Sequence, residues 1–238
     1  VLDEVEASCS EQIVVSVGNP PTVMIEAPLD GDVYSVGESI PFRGVVSDQE
    51  DLMNQIGVTW TSSVDGEISA GAANSQGLSQ WSSSSLGAGL HSLTLSATDS
   101  GGLASDDVIT FRVNTPPTVS SLSLSPALVY ADDALSAVAL SSDADGDVVT
   151  HSYVWLENGV LTSFTGMTIA SSELEAGELW TVRVTPDDGY IAGTYAELSV
   201  EISNSLPQVF AVSISPSGTV YNDSFLSCSG TVFDLDET

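Results

Sequence analysis

"ESIPFRGVVSDQEDLMNQIGVTW" (residues 38–60) and "DALSAVALSSDADGDVVTHSYVW" (residues 133–155) lie 95 positions apart and align without a gap. Asp48 falls on Asp143 and Trp60 on Trp155. In the second stretch Leu135, Ala137 and Ala139 alternate with polar or outward residues, an acidic cluster follows, and Tyr153 and Trp155 resume the alternation. A side-chain period of two marks a strand with one face turned inward. Each stretch therefore reads as strand, acidic loop, strand, with its tryptophan directed into a core.

The repetition extends outward from this pair. "NPPTVMIEAP" (19–28), "NTPPTVSSLSLSP" (114–126) and "NSLPQVFAVSISP" (204–216) are three versions of one opening. "GLHSLTLSATDSGG" (89–102) matches "ELWTVRVTPDDGY" (178–190), with Leu93 over Val182 and Asp99 over Asp188. "VLDEVEASCSEQIVVSVGNPPTV" (1–23) falls 96 positions before "ATDSGGLASDDVITFRVNTPPTV" (97–119), and "SFLSCSGTVFDLDET" (224–238) follows the second copy by 91. Self-similarity at a fixed period signals a repeat architecture. The expected division is a final strand of one repeat at 1–18, complete repeats at 19–113 and 114–204, and the first strands of a fourth at 205–238. Short alternating strands, separated by Gly, Ser, Asn and Asp clusters, predict all-β antiparallel sandwiches with no helix beyond a turn or two. Ile40, Phe42, Trp60 and Leu93 are the expected core of the first, and Leu135, Ala137, Trp155 and Val182 of the second.

Composition narrows the function. The 238 residues carry 33 acids against three bases, a net charge of −30, and no lysine. Such a surface repels phosphate backbones, so nucleic acid and anionic membranes are poor partners, while divalent cations or a salty medium suit it. Hydrophobic residues at 42% supply enough apolar surface for packed cores. No run of about 18 apolar residues is present, so no membrane insertion is expected of these residues. The opening VLDEVEASCS has neither a basic nor an apolar signal region, as expected of a mature or excised segment.

"NTPPTV", "DADGDVVTHSYVWLENG", "ELWTVRVTPDDG" and "GLHSLTLSATDSGG" resemble the extracellular tandem repeats of bacteria and archaea of the immunoglobulin-like, PKD-like or cadherin-like type. The resemblance covers nearly the whole chain. It implies immunoglobulin-like sandwiches in a linear rod, secreted or exposed at a cell surface as spacer, adhesin or fibre component. Cys228 aligns with Ala137 and Phe42, the inward position of the second strand of a repeat. In sandwiches of this type that position pairs with the sixth strand, here Val182, so the resemblance implies a disulfide partner for Cys228 beyond residue 238. Cys9 aligns with Ser105 and is a poor partner within one domain.

Enzyme motifs are missing from the sequence: there is no H-E-x-x-H, G-x-S-x-G or phosphate-binding loop. "GAGLHS" (87–92) leads into a strand rather than a helix and reads as a turn. His91 aligns with Trp180 and is expected inside; His151 alternates with Tyr153 and Trp155. The acids remain as the candidate chemistry. Asp143, Asp145 and Asp147 have the carboxylate density that calcium, with roughly six to eight oxygen ligands, requires. This is no EF-hand, because Val148 and Val154 stand where that loop needs Gly and Glu. Asp48, Glu50 and Asp51 occupy the corresponding loop of the first repeat, and Asp99 and Asp188 follow the sixth strands. The competing reading is a solvated acidic turn, with Asp and Gly selected for turn geometry alone.

Three functions compete. The leading expectation is a non-enzymatic extracellular structural or adhesive segment stiffened by calcium, with neighbouring repeats of the same or identical chains as partners. The second is a binding module for surface glycans, for which Trp81, in an expected exposed Ser-rich loop at 79–89, supplies the aromatic platform. The third is a non-catalytic appendage of a secreted hydrolase. "NDS" (222–224) is the one N-glycosylation sequon.

Overall fold

The computed structural model describes residues 18–234. The chain divides into two compact units, Val1–Asn114 and Thr115–Thr238. In the first, the described strands are β1 (Thr22–Ala27), β2 (Val33–Ser35), β3 (Ile40–Ser47), β4 (Gly57–Ser62), β5 (Gly66–Ala72), β6 (Leu78–Ser83), β7 (Gly89–Thr98) and β8 (Ala104–Asn114). They form a three-stranded sheet in the order β1-β3-β6 and a five-stranded sheet in the order β2-β8-β7-β4-β5. All these pairings are antiparallel except β2 with β8, which is parallel.

The alternation in the sequence is what closes this sandwich. Ile40, Phe42, Gly44 and Val46 of β3 face inward, as do His91, Leu93, Leu95 and Ala97 of β7. Trp60 and Phe42 are fully buried and meet edge to face at 5.7 Å. Gly44 is needed for close approach: a Cβ there would sit 2.3 Å from Leu95 Cδ2 and 2.9 Å from Trp60 Cζ2.

The second unit repeats the plan with β9 (Thr118–Ser125), β10 (Leu135–Ser142), β11 (Thr150–Glu157), β12 (Val160–Leu161), β13 (Thr168–Ile169), β14 (Leu179–Asp187) and β15 (Ala196–Glu201). Its sheets run β13-β10-β9 and β12-β11-β14-β15. Leu135, Ala137, Trp155, Trp180, Val182 and Val184 are fully buried between them. Ala139 stands where the first unit has Gly44. Truncating a fully buried tryptophan such as Trp155 to alanine costs about 3–5 kcal/mol, so the four expected core positions of each repeat hold the fold. The helical content among the described residues is two single 3₁₀ turns, Met53–Gln55 and Ser171–Glu173.

A further hairpin, β16 (Gln208–Ser215) with β17 (Ser227–Phe233), pairs Ile214 with Cys228 as β9 and β10 pair Leu124 with Ala137. Every residue of both strands is exposed, including Ile214 at 57% and Val232 at 65%. Cys228 is a free, exposed thiol. Cys9, Val15 and Val17, and the last acids Asp236 and Glu237, lie outside the described residues.

One expectation is overturned. The Ser-rich stretch does not begin as a loop: residues 78–83 are strand β6, paired with β3, Trp81 lying opposite Phe42. Trp81 is half-buried and stacks flat on Phe42, with centroids 4.3 Å apart and planes 7° from parallel. Serines suit the solvent side of an edge strand, and their number hid the alternation that carries Trp81 inward.

Candidate metal centre

The β10–β11 loop builds its cluster from one side chain. Asp143 Oδ1 accepts the backbone N–H groups of Asp145 (2.8 Å) and Asp147 (3.1 Å), folding the loop around its own carboxylate. Gly146 sits in the left-handed region at φ +83°, which a side chain would disfavour. Between these constraints one carboxylate oxygen from each of Asp143, Asp145 and Asp147 comes within 4.8 Å of the others. Opposite ligands of a calcium ion lie about 4.6–5.2 Å apart, twice its bond length, so all three fit around one such ion. Asp143 Oδ2 is buried and accepts no hydrogen bond from a described residue. A buried carboxylate oxygen without a donor is costly, and a cation relieves that cost. Asp145 also tethers the opening of the unit, its Oδ2 accepting the Thr115 N–H at 2.7 Å and its Oδ1 the Thr115 hydroxyl at 3.2 Å.

The β3–β4 loop of the first unit shares two of these features. Asp48 Oδ1 accepts the N–H groups of Glu50 and Asp51, both at 2.8 Å, and Asp48 Oδ2 is buried and accepts no hydrogen bond from a described residue. Glu50, aligned with Asp145, accepts the Asn19 side-chain amide at 2.8 Å. Asp51 turns elsewhere, accepting the backbone N–H of Ser100 (2.7 Å) and its hydroxyl (2.9 Å) in the β7–β8 turn. Among the described residues only the Asp143, Asp145 and Asp147 set converges as a three-carboxylate group. Asp99 and Asp188 hold their own turns: Asp99 accepts from Leu103 N–H, and Asp188 from Tyr190 and Ile191 N–H.

One buried constellation left no mark in the sequence pattern. Ser62 Oγ lies 2.7 Å from His91 Nδ1, and Asp65 Oδ2 lies 3.7 Å from the same nitrogen. His91 Nε2 donates to the Gly87 carbonyl at 2.9 Å, so in the neutral ring Nδ1 accepts the Ser62 proton. Ser62 Oγ in turn accepts the N–H groups of Val64 and Asp65. Ser62 and His91 are buried, leaving the hydroxyl no open side for a substrate carbonyl. The pair fastens the β4–β5 turn. Spacing along the chain could not reveal it, because the two residues meet across adjacent strands.

Other charges are local. Arg43 pairs with Glu26, and Arg183 with Glu197 at 3.0 Å while lying over the Tyr195 ring. Backbone and hydroxyl bonds from Thr110 hold the Asp30 carboxyl below the usual range. Repulsion from Glu178, then desolvation, pushes the Glu157 carboxyl up. Burial, followed by its bond to Asp32, pushes the Tyr34 phenol up to about 12.

Two layers, one holding the first, second and fifth strand positions and the other built on the third, sixth and seventh, make up each complete unit, with a buried tryptophan on the third. The fold is immunoglobulin-like. No protein-family model matches the sequence, and no curated protein matches it. Solved structures do. The fibronectin(III)-like modules of Clostridium thermocellum CbhA are 18% identical, covering 76% of this chain and 94% of that one at a TM-score of 0.38. Murine CEACAM1b is 13% identical over 77% of this chain and 98% of that one, at 0.41. Sidekick-1 immunoglobulin domains 1–5 are 11% identical over 91% and 46%, at 0.48. At these values the strand order, rather than any match, carries the immunoglobulin-like assignment. No helix among the described residues is long and apolar enough to cross a membrane.

Proposed function

We propose that this chain is a segment of an extracellular structural or adhesive array of immunoglobulin-like repeats, with calcium bound at the β10–β11 loop. The observation that carries the reading is repetition with an open member. The same strand plan closes two cores, and β16–β17 repeats the β9–β10 pairing with its inward face covered by no described residue. In the second unit that face is covered by a sheet bearing Trp155, Trp180, Val182 and Val184. A further repeat, of this chain or of an identical one, supplies the matching partner for the hairpin.

Asp143, Asp145 and Asp147 would hold the calcium ion. The ion supplies charge neutralisation that lets three carboxylates share one loop. Since Asp145 also tethers Thr115, occupancy stiffens the opening of the unit. Calorimetric titration of calcium into the chelator-treated chain should show saturable binding that Asp143→Asn removes. No heat and an unchanged melting temperature would leave the loop a solvated turn. For the array, hydrogen exchange on isolated monomers should find β16–β17 unprotected. Strong protection there in a monomer would overturn the open-repeat reading.

A further inference from the structure

The two long sides of the first sandwich differ. On one side the chain itself crosses between the sheets, from β1 to β2, and the crossing is bonded to β8. Gly31 donates to the Thr110 carbonyl at 2.7 Å, and Arg112 to the Asp32 carbonyl at 2.9 Å. Asp107 of β8 also accepts the Ile25 N–H of β1 at 2.7 Å. On the other side β5 and β6 are consecutive, lie in different sheets and do not pair. A cleft of about 230 Å³ opens there, its lining including Asp65, Glu67, Ile68, Trp81 and Leu86. We infer that β5 is the docking edge for an extended, lysine- or arginine-bearing segment of another protein, which adds to the sheet as a strand and seats one basic side chain in this cleft.

The backbone calls for a strand. Ala73 donates to the Ile56 carbonyl at 3.1 Å, continuing the β4–β5 ladder in which Gly57 faces Ala72. In an antiparallel ladder alternate residues turn their N–H and C=O to the partner, so Ala73 and Gly71 face β4 while Ala72 and Ala70 face outward. Ala70 and Ala72 are exposed, and no described residue bonds their backbone groups. Edge strands are ordinarily blunted by shortness, proline or lysine. The second unit follows that rule: β12 and β13, its edges on this side, are two residues each. The chain between them closes the gap, Thr162 donating to the Trp155 carbonyl, Ala137 donating to the Met167 carbonyl and Phe164 packing on the core. By contrast β5 has seven residues, with neither proline nor lysine, and Ala70, Gly71 and Ala72 let another backbone come close. An added strand supplies the closure that the first unit lacks.

The cleft selects the side chain. Its volume, below the roughly 300–1,000 Å³ of drug-sized pockets, suits a single one. Ile68 and Leu86 offer apolar wall to an aliphatic stem, and Asp65 and Glu67 offer carboxylates to a cationic head. Lysine and arginine combine those two parts. A second copy is not the donor, because it brings a net charge of −30 and no lysine. Its Arg43 and Arg183 are already paired with Glu26 and Glu197.

Neither calcium nor β16–β17 enters the readout, so this inference and the proposed function fail separately. The amide resonances and hydrogen exchange of Ala70 and Ala72 are followed by NMR in the full 238-residue chain. Salt at ~0.15 M screens unspecific attraction to the acidic surface. The probe is the acetylated peptide amide Thr-Val-Lys-Val-Thr-Val, and both amides should shift saturably and gain protection as it is added. The same peptide with glutamate in place of lysine should bind about tenfold more weakly or worse, as expected for like charges brought together. The lysine peptide N-methylated at every residue, which cannot form a ladder, should leave both amides unmoved. Glu67→Lys, at an exposed position, should keep the melting temperature and weaken the lysine peptide about fivefold or more. The inference is overturned if ~10 mM lysine peptide, enough to fill most of a millimolar site, leaves both amides unchanged. Equal binding of the glutamate or N-methylated peptide, or undiminished binding to Glu67→Lys, overturns it too. So does protection of Ala70 and Ala72 that rises with protein concentration alone, which would make a second copy the occupant.

Discussion

The two acidic loops, Asp48–Leu52 and Asp143–Asp147, occupy the same place in the same fold and use their carboxylates differently. Their first acids each accept two loop N–H groups, from Glu50 and Asp51 in the first unit and from Asp145 and Asp147 in the second, and their second acids, Glu50 and Asp145, both reach back to the opening of the unit. The third acid makes the difference. In the first unit it stands at Asp51, aligned with Gly146, and reaches Ser100. In the second it stands one place later, at Asp147, after a glycine whose left-handed conformation turns the chain back toward Asp143. A single shift of one carboxylate separates a turn clamp from a cation-sized cluster.

The largest expected effect tests that separation directly. At a hundredfold excess over Kd, calcium should stabilise the second unit by about 2.7 kcal/mol, roughly 10–20 °C in its melting transition. Asp143→Asn should abolish the shift and Asp48→Asn should leave it intact. Equal responses from the two variants would mean that the loops do not differ in this way.

Next in size is the shared loop-folding role, measured in chelator. Removing the acceptor of two N–H groups by Asp48→Ala should cost about 1–2 kcal/mol of local stability in the first unit, seen as faster amide exchange at Glu50 and Asp51. A smaller effect belongs to the clamp itself. Asp51→Ala should cost about 1 kcal/mol and release the Ser100 amide. Protection at Ser100 that survives the substitution would show that Asp51 does not hold that turn.

The smallest effects are opposite in sign between the units. Asp30 is lowered from 3.8, so its contribution is present above that value and is lost as pH falls through the lower folded one. Asp30→Asn should therefore destabilise slightly at neutral pH and be silent in acid. Glu157 is raised from 4.5, so its contribution is fully present below that value and is lost as pH rises through the folded one. Glu157→Gln should stabilise slightly at neutral pH, the gain vanishing below about pH 4.5. Thermal melts of both variants across this range check the signs.

Much of this molecule was legible in the chain. The 95-residue repeat and the period-two alternation located all eight expected core residues and the strands that carry them, because burial of one face leaves a mark on every second side chain. They also located the Asp143, Asp145 and Asp147 cluster, whose folding is local. Alignment could not say that Asp51 leaves its neighbours for Ser100, since that bond spans 49 residues between two turns. Nor could it place Trp81, whose serine neighbours read as loop until β3 is set beside it. The Ser62–His91 pair exists only where β4 and β7, separated in sequence by two other strands, are brought side by side. Pattern along the chain determines which face of each strand is buried; the pairing of strands, set by closure of the whole core, decides which polar groups meet.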